Sequence, residues 1–348
     1  MHFSFLKKQL LVCVFSPLVS SPAFSQPSIT LAPDSVLKAM MLKEKIFALG
    51  IGVIENGEIK QTKVLGELKA GVPAPGNTIF QVASLTKPIT EITTLRLVSK
   101  GLWNLDEPLF HYWTDPDVKA DPRHKLLTTR HIITHQTGFM NWRWLHSTGK
   151  LTFDFDPGKK TQYSGEGLEY LKKSLENKFK TPFEQIVAQY LFAPDSLNDT
   201  RFTWDQTMDE SRYAVAHDKD GKPYEIRKNT EASAADLLMT TVQDYAQFGV
   251  NVLKKKGLSA GVYEDMISYQ AADKKFGLGW ELFKNLKNGE LALIHSGSDP
   301  GVRTIIILLP KSKRGLVIFT NSDNGMNMVL AIIRQSLDIG EELIERAK

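Results

Sequence analysis

The chain is expected to fold as an α/β sandwich, with one antiparallel sheet built from both ends of the sequence and a mostly helical lobe beside it. Three observations predict this. Two apolar runs, 51–54 and 59–64, flank Asn56-Gly57, the dipeptide that best marks a tight hairpin. Over about 105–235 the pattern changes to short helices separated by loops. Sheet character then returns: 276–283, 291–295, 302–309 and 316–321 read as strands, with turns at Asn288-Gly289 and 311–315.

Taken in order, residues 1–25 read as an export signal, with Lys7 and Lys8, an apolar stretch to about residue 19, and small residues before Gln26. That stretch is too short to span a membrane, and no later run is long enough. The mature chain is therefore expected to carry no transmembrane span and to be periplasmic or secreted. Cys13, the only cysteine, lies in this leader, so the mature chain would have no disulfide, cysteine nucleophile or thiolate metal site. Residues 26–348 are expected to form a single domain with the helical lobe inserted between its sheet-forming segments.

Residues 35–48 suit a first helix against the sheet. The hairpin follows, then a Gly- and Pro-rich loop at 71–77 and an extended entry at 78–82. A helix then runs from Ser84 to Lys100, with Gly101 just past its end. In the lobe, LLTTRHIITHQTGF (126–139) places His131 and His135 four apart. A zinc-protease helix would need Glu where Ile132 stands, and no third ligand is signalled, so these histidines are expected to fix a short helix and loop. Thr181-Pro182-Phe183-Glu184 signals a helix start, 217–223 a turn, and Thr241 with Asp244 a capping box. A last helix is expected over 326–347, packing Val329, Ile332, Ile333, Leu337 and Leu343.

The chain has 348 residues, 42% hydrophobic and 24% charged, with a net charge of +4 and no long basic block. Nothing here favours nucleic-acid binding. No metal or cofactor is expected. The chemistry concentrates instead in FQVASLTKPIT (80–90). There Ser84 and Lys87 stand three apart at a helix start, so an amine lies beside a hydroxyl that needs a base to become nucleophilic. Two further polar motifs follow: Tyr163-Ser164-Gly165 before a helix, and His295-Ser296-Gly297-Ser298 at the end of an apolar strand.

In this order the motifs resemble those of the serine beta-lactamase and penicillin-binding protein superfamily. The resemblance is closest to the branch of class C beta-lactamases, D-alanyl-D-alanine carboxypeptidases, D-aminopeptidases and esterases, and it spans about 35–345. FQVASLTKPIT matches the Ser-x-x-Lys motif, YSG the Tyr-x-Asn motif, and HSGS the Lys-Thr-Gly motif. LLTTRHIITHQTGF matches the leucine-threonine-histidine loop, and Phe276-Gly277-Leu278-Gly279-Trp280 a family strand. The resemblance implies a beta-lactamase/transpeptidase-like sandwich and an acyl-enzyme on Ser84. Lys87 and Tyr163 would share the proton traffic, with the first acceptor left open, and the amides of Ser84 and Ser298 would hold the oxyanion. Losing one such donor costs about 3 to 4 kcal/mol.

His295 and Ser296 would touch substrate, and Gly297 would permit close backbone approach. Gly165 replaces the family's Asn, removing an amide that would meet the substrate's acyl-side carbonyl. His295 replaces Lys, making a fixed charge conditional on pH. Arg303 is a candidate to restore a carboxylate contact. Trp142, in a loop with Phe139, Met140 and Trp144, is a candidate pocket wall. Glu166 is read as a helix-start carboxylate.

These features imply an exported serine hydrolase acting on a small-molecule or peptide substrate, such as a cell-wall peptide, with beta-lactams as acylating ligands. Carboxypeptidase or D-amino-acid peptidase action leads. A carboxylesterase, a weak beta-lactamase, and a non-catalytic cell-wall peptide sensor are the alternatives.

Overall fold

The computed structural model describes residues 27–347, so the expected leader and Cys13 lie outside the described residues. Strands β1 (Ala48–Glu55) and β2 (Glu58–Lys69) form the expected hairpin. Asn56 and Gly57 both have left-handed φ, 55° and 74°, as a twisted two-residue turn requires. The short β3 (Val72–Pro73) extends its outer edge. From the other end of the chain come β6 (Glu281–Leu286), β7 (Glu290–Asp299), β8 (Val302–Leu309) and β9 (Arg314–Thr320). The seven strands run β3-β2-β1-β9-β8-β7-β6, all antiparallel, so the two ends meet where β1 pairs with β9. A separate two-stranded ribbon pairs β4 (Ile79–Gln81) with β5 (Met239–Thr241).

The central strands are buried on both faces, so two helical layers must cover them. One layer is α1 (Asp34–Glu44) with two helices at the far end of the chain, Gly325–Ser336 and Gly340–Arg346. The other holds α2 (Thr86–Ser99), α7 (Val242–Leu253) and the lobe. The lobe contains α3 (Thr129–Ile133), α4 (Gly165–Phe179), α5 (Phe183–Val187) and α6 (Ala193–Asp195). After α7 comes α8 (Ala260–Met266), and the two last helices are α9 and α10.

Several boundaries differ from the sequence reading. The expected last helix is two, because Leu337 turns extended and the Asp338 carboxylate accepts from Arg314 at 2.8 Å. Residues 276–279 are not strand. Instead Leu278 N donates to Met266 O and Gly279 N to Ile133 O, so this stretch docks onto the lobe before β6 begins. Thr181 does not cap α5; its hydroxyl donates to Phe179 O, and the Phe183 amide is met by Glu176 from the preceding helix. The first helix ends at Glu44, earlier than residue 48, because Ala48 already belongs to β1. At Thr241 the cap forms, its hydroxyl accepting from Asp244 N at 3.1 Å, but the box does not close, because the Asp244 carboxylate accepts from Asp199 N and Thr200 Oγ1 instead.

Candidate active site

Ser84 lies on a tight 3₁₀ turn, Ala83–Leu85, that leads directly into α2. The turn is clamped from three directions. Val82 N donates to Leu238 O at 3.0 Å, Thr304 Oγ1 donates to Val82 O at 2.9 Å, and Thr86 Oγ1 donates to Ala83 O at 2.7 Å. Ala83 is held at φ 49°, a left-handed conformation disfavoured for a residue with a Cβ. Its surroundings thus impose a local strain of the kind found at reactive sites.

One helical turn on, Lys87 is fully buried while Ser84 stays partly exposed. Lys87 Nζ lies 3.0 Å from Ser84 Oγ and donates a second hydrogen bond to Ala235 O at 2.9 Å. Burial of an ammonium is costly unless its hydrogen bonds are met. Here the hydroxyl of the predicted nucleophile is one of the groups that meet it.

Tyr163 immediately precedes α4. Ser164 caps that helix, its Oγ accepting from Gly167 N at 3.1 Å. The Tyr163 ring stands beside the lysine, its centroid 4.8 Å from Nζ, and packs on the His135 ring at 4.3 Å. His135 positions this loop: its Nδ1 accepts from Ser164 N at 3.2 Å and its carbonyl accepts from Gln162 N at 2.7 Å. Burial, and then the Lys87 charge, hold His135 well below the usual imidazole range, which keeps it neutral and able to accept.

The third motif arrives on β7. The β6 ladder ends at Ile294, leaving His295 to Asp299 with an open edge toward Ser84. Gly297 is what allows the approach. A Cβ there would fall 2.4 Å from Val82 O and 3.2 Å from Ser84 N, so a side chain would push the strand off the serine turn. Ser298 is the next residue on this edge. His295, Ser296 and Tyr163 line a cavity of about 380 Å³ with Lys275, Phe276 and Glu281; Asp273 also borders it.

Two expectations change. His295 is not a charge conditional on physiological pH: burial, then the Lys87 charge, push it down to about 3. Its Nδ1 lies 3.0 Å from Ser296 O. A carbonyl only accepts, so Nδ1 carries the proton and Nε2 is left as an acceptor. Arg303 does not turn to the cleft. It donates to Asp299 O and Val302 O at 2.6 and 2.7 Å, sits 3.4 Å from Asp323, and borders neither cleft cavity.

On the opposite side of Ser84, Trp142 and Trp144 border a second cavity of about 430 Å³ with Asp236, Leu237 and Asp299. Phe139, expected in the same wall, instead packs on Phe153 in the lobe core. Glu166 is more than a helix-start carboxylate, since it pairs with Arg143 at 2.8 Å. Among the described residues, no group of three or more His, Cys, Asp or Glu is placed to hold a metal ion.

The profile of the family described as beta-lactamase matches residues 34–339, almost all of the described chain. The chain belongs to the beta-lactamase family. A beta-lactamase of Yersinia enterocolitica is 23% identical over 327 residues, covering 86% of this chain and 82% of that protein. Esterase EstB of Burkholderia gladioli is 27% identical over 237 residues, 59% of each chain. A solved beta-lactamase/D-alanine carboxypeptidase from Pseudomonas syringae superposes with a TM-score of 0.71 at 17% identity, covering 87% of this chain and 99% of that one. That likeness establishes the shared fold.

In this beta-lactamase-family serine hydrolase Lys87 Nζ meets Ser84 Oγ, the Tyr163 ring stands beside Lys87, Gly297 abuts the serine turn, and His295 shares a cavity with Tyr163. Sequence reasoning missed Lys275, Asp236 and Asp299. Asp299 alone carried a signal, standing directly after HSGS. Burial, and then the Asp236 carboxylate, raise its carboxyl to about 7. Also missed was Glu91, one turn beyond Lys87 and fully buried, with neither oxygen hydrogen-bonded to any described residue.

Proposed function

We propose that this protein is an exported serine hydrolase that forms an acyl-enzyme on Ser84, with esters of uncharged leaving groups as its preferred substrates. The observation that carries the chemistry is the 3.0 Å separation of Lys87 Nζ and Ser84 Oγ in a buried setting. Ser84 Oγ attacks the acyl carbonyl while its proton passes into the Lys87–Tyr163 pair. The amides of Ser84 and Ser298 receive the negative charge on oxygen. The pair then returns the proton to the departing alcohol or amine, and water cleaves the acyl-enzyme by the same route. A sensor role would not call for a lysine bonded to the serine.

The leaving-group preference follows from charge. A carboxylate-ended leaving group needs a cation beside Ser296, yet His295 is neutral above about pH 3 and Arg303 is engaged elsewhere. Lys275 borders the cavity, but it lies 3.5 Å from Glu281 and shares the space with Asp273. Two carboxylates thus face one ammonium there, which disfavours a further carboxylate. Lys275 is also the one observation that favours the second reading, a D-alanyl-D-alanine carboxypeptidase or D-amino-acid peptidase. Export is inferred from the pattern of residues 1–25.

Intact mass and product release decide between these readings, with a p-nitrophenyl ester, a penicillin and a D-Ala-D-Ala peptide as probes. Ester turnover without D-Ala release is expected, and Ser84→Ala should lower it at least about a thousandfold. A stable penicillin adduct together with D-Ala release would transfer the assignment to the carboxypeptidase. Inertness toward all three would remove the proposed substrate class.

A further inference from the structure

Position 165 and Trp142 occupy one volume. A Cβ built on Gly165 would fall 2.7 Å from Trp142 Cη2, 2.9 Å from Cζ2 and 3.0 Å from Cζ3, distances at which the ring would have to move. The indole therefore stands where any side chain at 165 would begin. Its sequence neighbours are anchored there. Asn141 O accepts from the amides of Gly165 and Glu166 at 3.0 Å each, and Asn141 Oδ1 accepts from Gly165 N at 2.8 Å. On the other side of the ring in sequence, Arg143 is fixed by Glu166, Asp115 and Asp117 at 2.8, 2.9 and 3.1 Å. The tryptophan is thus held between two residues bolted to the start of α4.

The ring has a defined partner and a defined outlook. It stacks on Trp144 with centroids 4.8 Å apart and planes 9° from parallel, while Lys87 Nζ lies 5.9 Å from its centroid. Both indoles border the cavity of about 430 Å³, whose lining also carries Lys172, Arg227, Asp236 and Asp299. The two aspartates flank the reacting centre, because Asp236 follows the residue whose carbonyl holds Lys87 and Asp299 follows Ser298. This is the side of Ser84 away from His295, where the acyl part of a substrate lies if the leaving group faces His295.

We propose that Trp142 sets acyl-group specificity. It fills the volume of a side chain at 165 with an aromatic plate, so the site favours flat acyl groups that stack on that face. It turns away acylamino groups, whose carbonyl would need a hydrogen-bond donor at that place. The inference rests on the acyl-enzyme reading above. An indole face binds an aryl group by offset stacking and apolar burial, and gives a carbonyl oxygen nothing to accept from.

The test compares kcat/KM for p-nitrophenyl acetate, p-nitrophenyl benzoate and the p-nitrophenyl ester of N-acetylglycine across four variants. Trp142→Ala should lower the benzoate-to-acetate ratio about tenfold, whereas Trp142→Phe retains most of it. Gly165→Asn should displace the indole and lower the ratio similarly. Trp142→Ala combined with Gly165→Asn should raise the N-acetylglycine-to-acetate ratio about tenfold over Trp142→Ala alone, since the vacated volume then holds a donor amide. A benzoate-to-acetate ratio that Trp142→Ala leaves within about twofold would overturn the proposal. If the wild-type protein turns over no ester, the acyl-enzyme reading fails separately. Trp142 is then judged from the rates at which methyl and phenyl p-nitrophenyl phosphonates modify Ser84, read by intact mass. A phenyl-to-methyl ratio unmoved by Trp142→Ala overturns the proposal there too.

Discussion

The two faces of the seven-stranded sheet bury different chemistry. Against one face, α1, α9 and α10 bring Leu37, Met328, Ile332 and Leu343 to Leu49, Ile51 and Ile318, an apolar seam whose one buried cation among the described residues, Arg314, is paired with Asp338. On the other side α7 covers the strands, and α2, packed on the lobe in the same layer, is buried along almost its whole length, yet it brings Thr86, Lys87, Thr90, Glu91, Thr93 and Thr94 inside. Thr86, Thr90, Thr93 and Thr94 donate to backbone carbonyls, as buried hydroxyls must. Lys87 and Glu91 cannot be explained that way. One face holds the fold together, and the other gives up some of that stability to keep reactive groups in place.

The largest effect that sharpens this contrast lies on the reactive face. Lys87→Ala should slow Ser84 acylation by about a hundredfold to ten-thousandfold, the usual contribution of a positioned proton acceptor. Because the side chain removed is a buried polar one that must be desolvated on folding, the urea midpoint should not fall as it would for an apolar truncation of the same size. A large drop in the midpoint would instead make Lys87 a pillar of the fold and erase the distinction between the faces.

The mirror experiment is Ile332→Ala on α9, whose side chain is almost fully buried. It should cost about 2 to 5 kcal/mol of stability through lost burial and the cavity left behind. The acylation rate of the folded fraction should stay unchanged, because α9 packs on the far side of the sheet. A matching loss of acylation per folded molecule would show that the two faces are coupled through the strands.

The same contrast governs how much could be read from the sequence. The apolar seam was legible because its pattern is local: the hairpin follows from Asn56-Gly57, and the periodicity of Val329, Ile332 and Ile333 gives the helix face. Ser84 and Lys87 were legible for the same reason, since one helical turn joins them. What failed depends on residues far apart. The helix break at Leu337 needs Arg314 to hold Asp338, and the Phe276–Gly279 stretch is taken from the sheet by carbonyls of Met266 and Ile133. The charge state of His295 is set by its burial beside Lys87, which no motif records. Asp236 and Asp299 lie far apart in the chain and become neighbours only when β7 docks beside the loop that holds Lys87.

Glu91 gives the smallest effect and the sharpest test. Its carboxyl is fully buried and unpaired, and burial raises it well above the usual carboxylate range although the nearby Lys87 charge pulls the other way. In the folded chain it therefore keeps a proton that the unfolded chain releases above pH ~4.3. Unfolding then liberates that proton, so stability is greatest below this value and declines as pH rises toward the folded-state pKa. Glu91→Gln keeps the shape and removes the titration. The variant should match the wild type near pH 4 and exceed it at pH 8 by about 1 kcal/mol or more, the scale of one buried unsatisfied group. Urea midpoints measured at both pH values decide it. Parallel pH slopes for the two proteins would mean that Glu91 stays ionised against Lys87, and the reactive face would then hold a buried ion pair in place of a neutral acid beside an amine.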